Sequence, residues 1–459
     1  MTFPAIVVGG GISGLVCAYA LRKAGIDAIV LEASPRTGGL IQSERREGFL
    51  LELGPQSFSG TAPLRSLCEE LGVADQRLTA PPSAPRYVLL NGKLVPVPLS
   101  PSEMLTSSLL SARTKWKIAR DAFGTSHPLE DDESVAQFVR RKFGADLLER
   151  LVGPFVSGIH AGDPERLSLR AAFPSLHQAE KSAGSLIRGM MRAAKSKKGP
   201  RERPTLLSFR DGNETLVRSL AAKLGDSART RTEVLGIHAK RESGGDVFEL
   251  QVYDSAGEQS LAAKRLVMAV PAETAGALLR DVNPAFEPVL CGIDYAAVAV
   301  VSLGYRRADA GHSLGGFGFL APRSSGLRVL GTVWNSSLFP GRAPEGHVLL
   351  TSFVGGATDP GATALSEKEL VEIVHREISG LLRIVGAPVF SAAQIYGRAL
   401  PQYNLGHTQR LEALDKLRAA VPGLAFVGNY LQGPAVGDCV EQALQMAGNL
   451  ARASEKPQA

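Results

Sequence analysis

The chain is 459 residues long, 44% hydrophobic and 21% charged, with a formal net charge of +6. Two or three domains are expected at that length, and the composition is ordinary for a soluble globular protein. No window approaches about 18 uninterrupted apolar residues, which excludes a transmembrane helix. Cys17, Cys68, Cys291 and Cys439 stand too far apart for a metal-type pair, as in a reduced compartment. The first strand begins by residue 5, so no signal or transit peptide is expected and a cytoplasmic location follows.

Ala5-Ile-Val-Val8 reads as a buried strand, the glycines that follow as a turn opening a helix, and Ile29-Val-Leu-Glu32 as a second strand ending in an acid. Gly9, Gly11 and Gly14 satisfy G-x-G-x-x-G in the strand–turn–helix context that the motif requires. Gly9 permits the tight turn, Gly11 the close approach of a pyrophosphate, and Gly14 close packing of helix on strand. Free N–H groups and the dipole at the helix start favour phosphate there. Glu32, 18 positions after Gly14, stands where a carboxylate reaches a ribose hydroxyl. The pattern specifies a bound dinucleotide.

Leu53-Gly-Pro-Gln-Ser57 adds a Gly-Pro turn where backbone can approach a cofactor, and Arg86 to Pro98 reads as a hairpin turning at Asn91-Gly92. Residues 100–204 are helical and strand-poor; Ser134 caps a helix with apolar Val135, Phe138, Val139 and Phe143. Within them, Lys181 to Pro204 holds eight basic residues (Lys181, Arg188, Arg192, Lys195, Lys197, Lys198, Arg201, Arg203) against Glu202. Leu186, Ile187, Met190 and Met191 fall at helical spacing there. Such a helix can lie on an anionic membrane surface, each basic residue adding about 1 kcal/mol; a solvated helix and loop is an equal alternative. Nucleic acid is not an expected partner, because the stretch lacks interleaved aromatics.

Strands follow at Thr232–Ala239, Val247–Tyr253 and Arg265–Val270, the last an apolar run expected to return to the first sheet as a central parallel strand. Residues 276 to about 400 mix strands, including the very apolar Tyr295–Tyr305, with a helix near Ser366–Ile384. Leu424–Gly428 is a final strand, followed by a loop and a helix from Asp438 onward.

Arg36-Thr-Gly-Gly-Leu-Ile-Gln-Ser43 resembles the R-x-G-G-R-x-x-[ST] signature that follows the dinucleotide fold in FAD-containing oxidases, with Leu40 where the pattern has a second Arg. Arg36 is expected to add charge for the diphosphate. Together with Phe155–Leu169, Ala171–Phe173, Leu330–Val333, Thr351–Gly356 and Gly433–Val440, these stretches resemble the flavin-containing amine oxidase superfamily. Within it they are similar to the protoporphyrinogen-oxidising branch, over almost the whole chain. Gln442-Ala443 departs from the Ser-Gly pair of many relatives.

The resemblance implies an α/β fold (α+β overall). A Rossmann-like FAD-binding domain would be built from the discontinuous segments 1–85, 205–275 and 400–459. A mixed-sheet substrate domain would comprise 86–99 and 276–399, and residues 100–204 a helical insertion able to associate with a membrane. Non-covalent FAD would be contacted by Gly9, Gly10, Gly11, Ile12, Ser13, Gly14, Glu32, Ala33, Gly39, Leu40, Gly54, Pro55, Gln56, Ser57, Val234, Asn429, Pro434, Ala435 and Val436. The tail helix would aim its positive end at the flavin pyrimidine ring. Arg86 would pair with a propionate as a bidentate fork. Leu320, Val333 and Phe353 would line the tetrapyrrole pocket, and Gly158, in a Ser-Gly-Ile-His-Ala-Gly turn, would present its carbonyl to pyrrole N–H groups.

The implied reaction is a stepwise six-electron oxidation of protoporphyrinogen IX, hydride passing to flavin and dioxygen leaving as hydrogen peroxide. No catalytic side chain and no metal is named: His160 and His177 have no carboxylate at useful spacing and read as structural. Three alternatives stand beside this reading. An amine oxidase would want a lysine before the tail, and none lies between Arg265 and Glu367. Coproporphyrinogen oxidation would need more basic residues to meet four carboxylates. A non-enzymatic module like the GDP dissociation inhibitors would keep the fold without the cofactor; the intact glycine doublet and tail loop speak against it.

Overall fold

The computed structural model of the chain describes residues 2–124, 131–196, 205–242 and 245–455. Lys197, Lys198, Arg201, Glu202 and Arg203 of the basic stretch lie outside the described residues.

Five short strands form a parallel sheet in the order Ala228–Arg229, Ala28–Leu31, Ala5–Val8, Leu266–Met268, Leu424–Phe426. The last four are buried throughout, as strands covered on both faces must be. Leu266–Met268 pairs with Ala5–Val8 on one side and Leu424–Phe426 on the other, the returning position expected from its apolar run. One face packs against the helix Ile12–Lys23 and the tail helix Val436–Glu455, where Val440, Ala443 and Ala447 meet Val16 and Ala18 in one core. Burying each Val or Leu there contributes about 1.5–3 kcal/mol, which ties the two ends of the chain together.

The opposite face packs against Phe286, Leu290 and Ile293. Residues 276–293 therefore share the core of the nucleotide sheet, although the sequence groups them with the substrate section. Their apolar positions are equally compatible with either sheet, and only packing separates the two. A four-stranded sheet (Thr2–Phe3, Gly257–Ala263, Gly245–Asp254, Glu233–Glu242) flanks this core. Its Gly257–Ala263 strand escapes sequence reading because its side chains alternate weakly.

The second large unit is a mixed seven-stranded sheet in the order Phe390–Pro401, Tyr295–Arg306, His347–Gly355, Val329–Trp334, Gly318–Leu320, Arg86–Leu90, Lys93–Pro96. Gly318–Leu320 runs parallel to Arg86–Leu90 and the other pairs are antiparallel. The hairpin turns where Asn91 and Gly92 take φ of +50° and +75°. The helix Glu367–Leu382, closed by a capping box of Ser366 and Glu369, covers one face with Leu370, Val374 and Ile378. Residues 101–196 contribute helices; the one over Val135–Lys142 carries a full capping box from Ser134 and Gln137. Beneath it, Glu180 is fully buried and held by Arg141 (3.0 Å) and Lys142 (2.7 Å). No helix among the described residues is long and apolar enough to cross a membrane.

Candidate active site

The glycine turn shows what each glycine is for. Gly9 has φ +109°, and a Cβ there would sit 2.6 Å from the Ala269 carbonyl oxygen. A Cβ on Gly14 would lie 2.0 Å from Gly9 O, so helix and turn touch backbone to backbone. A Cβ on Gly11 would meet nothing within 4 Å. Gly11 also N-caps Ile12–Lys23 with no side-chain hydrogen bond, leaving its first amides free for an anion. Ile12 is half-buried against the core and Ser13 buried beside it.

Glu32 accepts the Gly10 N–H at 2.7 Å and the Ser34 N–H at 2.9 Å. The acid thus braces the glycine turn, and its remaining lone pairs stay available to a ribose hydroxyl. Ala33 is exposed next to it, and the Thr232 N–H donates to Glu32 O, which brings half-buried Val234 to the same corner. The doublet lies on the turn: the Gly38 N–H donates to Gly10 O at 2.8 Å, and a Cβ on Gly39 would be 3.3 Å from Gly11 Cα. Arg36 directs its guanidinium to the carbonyls of Thr37, Ile41 and Gly39 at 3.2, 3.3 and 2.6 Å, stapling its own loop. Leu40 is 36% exposed, and its carbonyl oxygen lies 1.9 Å from where a Gly54 Cβ would fall. Gln56 then fixes the next turn, donating to Glu52 O and Gly54 O and accepting from Asn335 Nδ2 at 2.7 Å. Pro55 O accepts from Asn213 Nδ2 at 2.7 Å, and half-buried Ser57 follows.

The tail closes on this cradle. Val427 continues the parallel sheet by donating to Met268 O, and Asn429 O accepts the Tyr403 hydroxyl. The Cys439 N–H donates to Ala435 O, and the helix starts at Val436, two residues before the position expected from sequence. Cys439 lies within hydrogen-bonding reach of Ser13, and a Cβ on Gly437 would be 3.1 Å from Ser59 O. Three separated stretches thus meet. An uncapped helix start, an opening where a Cβ would find no neighbour and close-passing glycine loops fit an FAD diphosphate, with Glu32 at its ribose end.

Arg86, Leu320, Val333 and Phe353 come from four strands and share one face of the seven-stranded sheet. Arg86 pairs with Gly318 and Gly318 with Val333; Val88 pairs with Leu320, Leu320 with Gly331 and Gly331 with Phe353. Cross-strand partners and i, i+2 neighbours point the same way. Tyr87, Phe319 and Trp334 point oppositely, toward the helix-covered core. Val333 and Phe353 pack with Leu338 and Phe339.

Gly158 touches Leu320, since a Cβ on it would lie 2.3 Å from Leu320 Cδ2. It sits in the helix Gly153–His160 and not in a turn, a correction to the sequence reading. Glycine lowers helix propensity, but here it lets the helix close onto the sheet. Phe155, three residues before Gly158, and Ile159, four residues after Phe155 and so on the same helix face, are 42% and 46% exposed, an apolar pair that sequence reasoning passed over.

Arg86 is exposed and stacks over Phe317 at 5.4 Å. No carboxylate pairs with it among the described residues, whereas Arg398 is tied to Glu273 at 2.8 Å and Arg166 to Asp294 at 2.9 Å. His160 is buried against Phe173 and pushed down to about 4 by that burial, so it is neutral at physiological pH. No cluster of three metal-ligating side chains occurs among the described residues.

Fold and cradle together define an FAD-dependent oxidoreductase. The family model for flavin containing amine oxidoreductases matches residues 12–451, and the chain belongs to that family. It is 37% identical to protoporphyrinogen oxidase 1, chloroplastic, of Arabidopsis thaliana, over 97% of this chain and 88% of that protein. It is 29% identical to coproporphyrinogen III oxidase of Bacillus subtilis (strain 168), over 95% of each. A crystal structure from Exiguobacterium sp. 255-15 superposes with a TM-score of 0.81 at 26% identity, covering 99% of both chains.

Proposed function

We propose that this protein oxidises protoporphyrinogen IX to protoporphyrin IX. Six electrons and six hydrogens leave in three rounds, and each round reduces one dioxygen to hydrogen peroxide. The observation that carries this reading is the sheet face that sets Arg86, which has no carboxylate partner among the described residues, beside an apolar wall of Leu320, Val333 and Phe353. FAD, when bound, supplies the acceptor for the hydride. The chain's own residues bind and orient. Arg86 forks onto a propionate. The apolar wall, with Phe155 and Ile159, covers the macrocycle and excludes water. The carbonyls of the last helical turn, Gly158 among them, lack intrahelical partners and accept pyrrole N–H groups.

Arg86 is the one cation among the five residues expected at the substrate, which favours a substrate with two carboxylates over one with four. Anaerobic mixing with each porphyrinogen tests the point: flavin absorbance should bleach faster with protoporphyrinogen. Arg86→Ala should raise KM for it by about ten- to a hundredfold, the scale of a lost charged hydrogen bond, with flavin content unchanged. Faster bleaching by coproporphyrinogen, or wild-type kinetics in the variant, would reverse the assignment.

We infer further that the protein is cytoplasmic and binds peripherally to the cytoplasmic face of a membrane. The helices Ala112–Phe123 and Leu186–Ser196 are joined through Asp121, which accepts from Ser185 Oγ and the Ile187 N–H. Leu186 is buried, but Trp116 (59% exposed), Phe123 (89%), Met190 (49%) and Met191 (55%) face outward beside Arg113, Arg120, Arg192 and Lys195. Apolar anchors among basic residues suit an anionic bilayer surface. Neutralising those four cations should weaken binding to phosphatidylserine vesicles at least about tenfold; unaltered co-sedimentation would leave these helices as ordinary solvated surface.

A further inference from the structure

We propose that the phenol of Tyr396 is a hydrogen-bond donor to the isoalloxazine of bound FAD, at the seam where cofactor and substrate meet. The inference rests on the FAD cradle and not on the identity of the substrate. Tyr396 lies in the strand Phe390–Pro401 opposite Val298, which itself pairs with Gly355, two residues from Phe353. The alternation of the sheet therefore puts Tyr396 on the face that carries Phe353, Leu320 and Arg86. Its ring is packed in a small cluster with Phe353, Ala161 and Val298.

The hydroxyl at the end of that ring is shielded from solvent and has no hydrogen-bond partner. Buried hydroxyls are ordinarily satisfied, so an orphan one packed at the pocket wall points to a partner supplied by a ligand. The Tyr430 hydroxyl and Trp334 Nε1 are also unpartnered, but both are packed within the cores of the two large sheets. Tyr396 differs because it feels the Arg36 guanidinium, and Arg36 is stapled to the loop bearing Gly39. The phenol thus packs against the pocket wall, within the electrostatic range of Arg36 on the cofactor loop. Burial raises its pKa above the ordinary phenol value, keeping it protonated and a donor at neutral pH. Flavin presents carbonyl and ring-nitrogen acceptors along its edge, whereas a porphyrinogen interior presents N–H donors and its rim is apolar apart from the carboxylates. A lone donor in an apolar wall suits the first.

The test is Tyr396→Phe in the full-length holoprotein, which removes one oxygen and leaves the packing intact. FAD should dissociate with a constant about five- to tenfold higher. The visible flavin band should shift, and the flavin midpoint potential should fall because a donor to the electron-rich reduced ring is lost. KM for the porphyrinogen should not change. Unaltered FAD affinity, spectrum and potential would overturn the inference, and a rise in KM alone would move Tyr396 to the substrate. A wild-type protein that takes up no FAD would instead sink the cofactor reading on which the inference stands.

Discussion

Gly11→Val is expected to yield a folded but colourless protein. Gly11 has φ −69° and ψ 176°, extended backbone that a β-branched residue adopts readily. Since an added Cβ meets nothing within 4 Å, the apoprotein should melt where the wild-type apoprotein melts. The new methyl groups occupy the space above the uncapped helix start, so FAD affinity should fall by about a hundredfold or more, near 3 kcal/mol. Gly14→Val should behave oppositely, because its Cβ would strike a backbone oxygen 2.0 Å away that cannot yield. Overpacking of that kind costs about 3 kcal/mol and should lower the melting temperature of the apoprotein itself. Flavin absorbance and circular dichroism on both variants separate the two effects; a yellow Gly11→Val protein would remove the diphosphate from this turn.

Arg342→Met should be the most destabilising single change away from the cofactor. Arg342 and Glu52 are each 1% exposed and 3.1 Å apart. Glu52 also accepts from Ser43 Oγ at 2.6 Å and the Asn213 N–H at 3.0 Å, while Arg342 donates to Ser208 Oγ and Phe209 O. The Leu50 N–H donates to Arg342 O, so the pair clamps the strand leading into Gly54–Ser57 to the loop that follows Asn335. Above about pH 7, where Glu52 is ionised, removing one partner of this buried pair strands the other, at a cost of about 3–5 kcal/mol. The double variant Glu52→Gln/Arg342→Met should recover much of that loss, and failure to do so would mean that packing, not charge, governs the site.

Burial pushes Glu52 up from 4.5 to about 7, against the pull of Arg342, Ser43 and Asn213. A carboxyl raised in the folded state binds its proton more tightly there than when unfolded. Its contribution to stability is then full below about pH 4.5 and lost as pH rises toward about 7. The wild-type melting temperature should therefore fall faster than that of Glu52→Gln across this window; parallel curves would show that Glu52 is ionised throughout.

The nucleotide lobe was legible because its signals are local. A buried strand, a glycine turn, a helix and an acid lie within residues 5–32, and the positive φ of Gly9 and the crowding at Gly14 are demands that sequence expresses directly. The hairpin at Asn91-Gly92 and the capped helices at Ser134 and Ser366 were legible for the same reason. Other features were hidden by distance. Glu32 reads as a ribose ligand, but its bracing of Gly10 depends on a contact across 22 positions. Arg36 reads as a cation for phosphate, yet folding turns it onto its own loop.

By itself the sequence determined the chemistry that backbone geometry dictates: where glycine is needed, where an anion is welcome, and which runs are apolar enough to bury. Only the tertiary structure decided which apolar residues face the ligand and which face a core, because strands distant along the chain acquire a common face through register. Thus Leu320 and Phe319, adjacent and equally apolar, were separated into pocket and core by the pairing of Gly318 with Arg86 and Val333. A shift of one residue would exchange them.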